Sequence, residues 1–121
     1  MTVLDSSALL AFLQGEPGAA QVEDALAAGA ICGTANWSEV AQTVLAHRRD
    51  WSLAAAVLHS YGLELAPVTV VDAEHAARQW RAGAGLSLAD RLCLALADRV
   101  GRTVLTADRA WPESERVQQI R

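Results

Sequence analysis

Lysine is missing from this sequence. All ten basic residues are Arg, which excludes a P-loop nucleotide site, since that site needs its phosphate-binding Lys. A phospho-acceptor receiver domain, which would be expected to carry a Lys too, is disfavoured on the same ground. Cysteine is nearly missing as well. Cys32 and Cys93 both lie inside apolar segments, which fits reduced core thiols better than a disulfide framework or a metal site, and zinc is not expected. There is no membrane span: the longest weakly charged run, Trp51 to Val71, is interrupted by Ser52, His59, Ser60, Gly62, Glu64 and Pro67. No basic n-region followed by an apolar h-region opens the chain, so a cytoplasmic location is expected. Positive charge is in deficit, because 14 acids against 10 basic residues leave a formal net charge of −4. That balance speaks against a general basic surface for nucleic acid. It reads differently if four acids belong to one metal-bound cluster, since ten acids then face ten Arg and the remaining surface is neutral.

What is present in quantity is apolar mass. With 52% hydrophobic residues in 121, residues 1–121 have the size of one ordinary domain and can bury a core without staples. The stretch that organises it is Thr2-Val3-Leu4-Asp5-Ser6-Ser7-Ala8-Leu9-Leu10. Val3 and Leu4 read as a short buried strand that gives way at Asp-Ser-Ser to an apolar helix, ended by Gly15 and Pro17. Asp5 then stands at the carboxyl end of a strand, the edge beyond which ligands bind in open α/β sheets. Its plain alternative is a helix cap.

Further along, Ala19 to Ala28 reads as a second helix and Ala30 to Gly33 as a strand, with Thr34 as the cap of the next helix. That third helix has a clear apolar face at Trp37, Val40, Ala41, Val44 and Leu45. Glu39 falls nearly opposite, beside Asn36 one turn earlier. A solvated Glu favoured by the helix dipole is the alternative there. Trp51 to Tyr61 is a fourth helix and Leu63 to Val68 a strand that Pro67 confines to its end or to a sheet edge. Asp72 is read as the cap of a helix from Ala73 to Ala82. Ser87-Leu88-Ala89-Asp90 resembles a capping box and opens a largely apolar helix to about Val100, expected to be buried and central, with Arg91 and Asp98 along its wet edge. Asp90 projects instead among Cys93, Leu94 and Ala97, where a carboxylate needs a partner or is neutralised. Thr103 to Thr106 is a strand with Asp108 just past its end, repeating the placement of Asp5. Val117 to Ile120 is a last strand, at the sheet edge. His47, His59 and His75 sit on separate helices without ligand spacing, which suits surface or capping roles.

Short apolar strands alternating with helices of 10 to 15 residues mark βαβ units and a parallel sheet. Such a sheet puts strand ends and helix starts on one rim, where Asp5, Glu39, Asp90 and Asp108 would face a common crevice. Four carboxylates cannot share a crevice ionised without cations. Mg²⁺ or Mn²⁺, hard ions that take oxygen ligands, answer that need. The chemistry implied is hydrolysis of a phosphate ester by metal-activated water. No Ser-His-Asp or Cys-His arrangement competes with it.

Four segments together carry a family resemblance: Val3-Leu4-Asp5-Ser6-Ser7-Ala8-Leu9-Leu10, Asn36-Trp37-Ser38-Glu39-Val40, Leu86-Ser87-Leu88-Ala89-Asp90-Arg91, and Leu105-Thr106-Ala107-Asp108-Arg109-Ala110-Trp111. They resemble the four acidic motifs of PIN-domain nucleases, above all the VapC toxins of bacterial toxin–antitoxin pairs, in order and over the whole chain. The resemblance implies a three-layer α/β/α sandwich with a mostly parallel central sheet. It also implies a Mg²⁺- or Mn²⁺-dependent endoribonuclease, usually a homodimer, silenced by a small VapB-type antitoxin. Asp5, Glu39, Asp90 and Asp108 would be the catalytic metal ligands. Ser6 stands where many relatives have Thr, keeping a hydroxyl near the metal waters, and Asn36 would orient Glu39. Arg91 and Arg109 would reach RNA phosphates. Ala110 stands where some relatives carry a further Asp, which leaves open whether one or two metals work.

Two other readings follow from the same residues. One is a catalytically weak PIN domain acting as an RNA- or protein-binding module, disfavoured because no carboxylate is missing. The other is a haloacid-dehalogenase type of Mg²⁺ phosphohydrolase, which would want a second Asp where Ser7 stands. A surplus of apolar helix, including Trp51, Leu53, Val57, Leu58 and Trp80, is either core or an exposed interface.

Overall fold

The computed structural model describes all residues, Met1–Arg121. In chain order the elements are β1 (Thr2–Leu4), α1 (Ser6–Gln14), α2 (Ala19–Ala28), β2 (Ala30–Gly33), α3 (Thr34–Ala46), α4 (Trp51–Ser60), β3 (Glu64–Ala66), α5 (Val70–Arg78), α6 (Leu88–Val100), β4 (Val104–Thr106) and β5 (Val117–Gln119). The five strands form one sheet in the order β3-β2-β1-β4-β5, and every neighbouring pair is parallel.

Strand parity divides the core. Leu4, Cys32 and Leu105 pack with Ala8, Leu9, Val22, Val40, Val44 and Leu58 of α1 to α4. The alternate residues Val3, Ile31 and Val104 pack with Cys93, Leu96 and Ala97 of α6, and with Trp111. Successive side chains of a strand point to opposite faces, so both faces of the sheet are covered and the architecture is a three-layer α/β/α sandwich. The parallel strands are apolar on both sides, as such burial requires. No helix is long and apolar enough to cross a membrane.

The chain steps outward from β1 to β2 and β3, then crosses to β4 on the other side of β1. The reversal of direction between β1 and β4 is a topological switch point, where open α/β sheets leave a crevice at the carboxyl ends. Asp5 and Asp108 follow those two strands.

Several local expectations shift. Helix α3 is capped by Gly33, and Leu45, assigned to its apolar face, is 57% exposed, while Trp37 packs edge-on against Trp51 of α4 at 4.9 Å. Strand β3 is shorter than expected and lies at the sheet edge, consistent with Pro67. Helix α5 begins three residues early. Thr69 is its cap, and Asp72 is the N3 member of a reciprocal capping box, because Thr-x-x-Asp satisfies two orphan N–H groups where Asp72 as cap would satisfy one. Arg91 is half-buried and not on a wet edge, since α5 packs over that part of α6 and takes its guanidinium. The histidines do keep to surface roles. His47 contacts the Thr43 carbonyl at 2.8 Å, His59 lies against Trp37, and His75 pairs with Asp98 at 3.1 Å. Cys32 and Cys93 are free and buried.

Candidate functional site

Asp5 is the most enclosed acid, 2% exposed. Following β1 directly, it has extended backbone (φ −81°, ψ 176°) and caps α1, its Oδ1 accepting from the Ala8 N–H and the Ser7 hydroxyl, both at 2.8 Å. Its Oδ2 accepts from the Thr106 hydroxyl at 2.5 Å. Burial pushes its carboxyl up to about 6 from an ordinary 3.8. The hydrogen bonds from Thr106, Ala8 and Ser7 oppose the rise, and the charge of Asp90 adds to it.

Glu39 stands on α3, half-buried, with Oε1 accepting from the Ser6 hydroxyl at 2.9 Å and from the Asn36 amide at 3.2 Å. Asp90 closes the capping box of α6. Its Oδ2 accepts from the Ser87 N–H at 3.0 Å while its own N–H donates to the Ser87 hydroxyl. Asp108 follows β4, with Oδ1 accepting from the Ala110 N–H at 2.9 Å. The N–H of Asp108 donates to the Thr106 hydroxyl at 3.0 Å, and its carbonyl accepts from the Gln119 amide. In Glu39, Asp90 and Asp108 alike, one oxygen is held and the other has no hydrogen bond from the protein.

Asp5, Glu39 and Asp90 share one electrostatic neighbourhood. All three charges help hold up the Cys93 thiol, which burial already raises, and Asp5 and Glu39 do the same to Cys32, pushed up to about 12 chiefly by burial. Asp108 is tied to Asp5 through its backbone, one Thr106 hydroxyl bridging the Asp5 carboxylate and the Asp108 main-chain N–H. As the side chains stand, no three of the chain's His, Cys, Asp and Glu are close enough to grip a metal ion between them. The acids do not form a closed cage.

Of the other residues singled out in the sequence, Ser6 and Asn36 both meet Glu39. Arg91 turns away: its Nη1 donates to the Ala76 carbonyl at 2.7 Å, capping the C-terminal end of α5. Arg109 is exposed and has no ion-pair partner. Sequence reasoning passed over Ser7 and Thr106. Ser7 holds Asp5 and also accepts from the Ala107 N–H at 2.8 Å, tying α1 to the end of β4. The available signal was a hydroxyl residue ending an apolar strand two positions before Asp108, and another two positions after Asp5.

A family model described as the PIN domain matches residues 2–116. No curated protein matches the chain in sequence. Among solved structures, a toxin–antitoxin complex from Klebsiella pneumoniae is similar, with a TM-score of 0.77 at 18% identity over 100% of this chain and 98% of that one. A DNA-bound VapBC from Salmonella typhimurium gives 0.70 at 14% identity, over 98% of this chain and 97% of that one. Those likenesses concern the fold, and the family model covers nearly the whole sequence: this chain belongs to the PIN domain family.

Proposed function

We propose that this chain is a divalent-metal-dependent endoribonuclease, the toxin of a toxin–antitoxin pair, acting in the cytoplasm and silenced by a VapB-type antitoxin. The observation that carries the reading is Asp5, a carboxylate buried at the switch point of a PIN-family sheet with the charge of Asp90 beside it. The toxin assignment draws on the two similar structures, both of toxin–antitoxin assemblies.

Asp5, Glu39, Asp90 and Asp108 would hold Mg²⁺ or Mn²⁺. The donor set is all hard oxygen, and three of the four acids keep an oxygen free of protein hydrogen bonds. Bound there, the cation supplies Lewis acidity and an activated water for a phosphodiester. The chain's own residues do the positioning. Thr106, Ser7 and the Ala8 N–H fix Asp5, Ser6 and Asn36 fix Glu39, and Ser87 fixes Asp90. Ala110 contributes no carboxylate, so the donor set rests on four acids. Arg109, next to Asp108 in the chain, exposed and without an ion-pair partner, would meet an RNA phosphate. Exposed Val70, Val71, Trp80 and Leu88 offer apolar surface for a homodimer.

The test is cleavage of a mixed tRNA and rRNA pool with Mg²⁺, with EDTA, and by Asp5→Asn and Asp90→Asn variants. Discrete fragments that disappear with EDTA and in both variants are expected. Identical fragments from the variants would assign the cutting to a contaminant. RNA retention without cleavage would favour the catalytically weak binding module.

A further inference from the structure

Asn36 is 1% exposed and sits one helical turn before Glu39. Its amide nitrogen faces two acceptors, Glu39 Oε1 at 3.2 Å and, at a longer 3.5 Å, the main-chain carbonyl of Ala89, the residue preceding Asp90. Neither partner can donate, so the orientation of the amide is fixed, with Nδ2 between them. The same Glu39 oxygen accepts from Ser6 of α1. Two helix starts therefore meet at one carboxylate oxygen, α1 through Ser6 and α3 through Asn36, and the Asn36 amide carries the link on to α6 at the Ala89 carbonyl.

The other end of the amide carries a cost. Asn36 Oδ1 is buried and has no hydrogen-bond partner, although Asn36 borders a cavity of about 10 Å³ between Gly33, Asp72, Leu92 and Leu96, the size of one water. An apolar side chain of this size would fill the same place without leaving an amide oxygen unpaired. What only Asn supplies is the donor between Glu39 and the first turn of α6.

We infer that Asn36 is a positioning residue that couples Glu39 to the start of α6, setting the separation of Glu39 and Asp90 and through it the affinity for the divalent cation. This rests on the metal-site reading above. Partners that orient metal ligands from behind are worth about 10- to 100-fold in metal affinity, and an effect of that size is expected here.

Binding of Mn²⁺ to the full chain, read as the loss of the free-ion EPR signal, tests it alongside melting of the metal-free protein. In Asn36→Leu, the Mn²⁺ dissociation constant should rise about 10- to 100-fold. Activity should return toward wild type at saturating Mn²⁺, because the reacting groups are untouched. Asn36→Ser, too short to reach both acceptors, should do the same and serves where the Leu variant does not fold. Variants that melt differently but bind Mn²⁺ as wild type does would reduce Asn36 to a packing residue and overturn the inference. A wild-type chain that binds no Mn²⁺ would overturn the metal-site reading itself, a separate result.

Discussion

The hydroxyl of Thr106 joins the ends of two strands by donating to Asp5 Oδ2 at 2.5 Å while accepting from the Asp108 N–H at 3.0 Å. Thr106 is fully buried and Asp5 is 2% exposed, so the Asp5 oxygen cannot turn to water in exchange. Thr106→Val keeps the shape and removes the hydroxyl. It should cost about 1–3 kcal/mol of stability, because a buried carboxylate oxygen and a main-chain N–H lose their partner. Burial, less opposed, should raise the Asp5 carboxyl further, moving the acid limb of any cleavage rate profile to higher pH. Thr106→Ser should restore both. Urea unfolding and rate profiles of the two variants check this.

Asp5 should make the metal-free protein less stable at neutral pH than at about pH 4. Its carboxyl is raised in the folded chain from 3.8 to about 6 by burial, with Asp90 adding to the rise. A raised folded value contributes stability that is complete below the unfolded value and disappears as pH rises through the folded one. The interval corresponds to roughly 3 kcal/mol lost between about pH 4 and 6, at ~1.4 kcal/mol per tenfold. Asp5→Asn keeps an acceptor for the Ala8 N–H and does not ionise. In EDTA, the stability of wild type minus that of this variant should therefore fall across that range by an amount of this order. Added Mg²⁺ should recover stability in wild type alone. A difference that is flat with pH would place Asp5 in a better-solvated setting.

The elements were legible because their signals are local: apolar strands of three or four residues, helix stops at Gly15, Gly29 and Gly101, and cap residues at Asp5 and Ser87. The positions of the four acids in the fold were legible because each follows a strand or lies in the first two turns of a helix. The order of strands gives Asp5 its central position, with β2 on one side and β4 on the other. The hydroxyls behind the acids were not legible. Ser7 and Thr106 are 99 residues apart in sequence and meet only in the fold, and nothing near either one announces the other. Asp72 was misread for a local reason. Two residues near a helix start can both cap it, and with Thr69 as the cap the Thr-x-x-Asp pair satisfies two orphan N–H groups where Asp72 as cap would satisfy one.

Asp72 and Arg99 fasten α5 to α6. Arg99 donates to Asp72 from Nε at 2.9 Å and from Nη2 at 3.0 Å. Burial alone would raise the Asp72 carboxyl, but the Arg99 hydrogen bonds and those of Thr69 outweigh it and hold it below 3.8. A lowered folded value contributes stability that is present above the unfolded value and is lost as pH falls through the folded one, so this contribution should vanish below about pH 4. The Arg99 side chain is 37% exposed, and screening keeps the ion pair near about 1 kcal/mol. Asp72→Asn should lose roughly that much, and Asp72→Ala about 1 kcal/mol more, because the capping box goes as well. Neither should change RNA cleavage at temperatures where both fold. Chemical denaturation at low and high salt separates the two contributions.

Cys32 and Cys93 should be inert in the native protein. Burial raises both thiols, Cys32 to about 12, and the nearby charges of Asp5 and Glu39 raise them further. Since the thiolate is the nucleophile, neither its fraction nor its access favours reaction. A disulfide reagent such as DTNB should label no thiol in the folded protein within minutes, and two after denaturation. Labelling in EDTA should be slow and should follow opening of the fold. Mg²⁺ should slow it further, because a cation that binds only the folded chain lowers the population of open forms. Rapid labelling of one thiol, unaffected by Mg²⁺, would show that the crevice opens to solvent independently of global unfolding. The charges of Asp5 and Glu39 would then no longer need a cation to share the site.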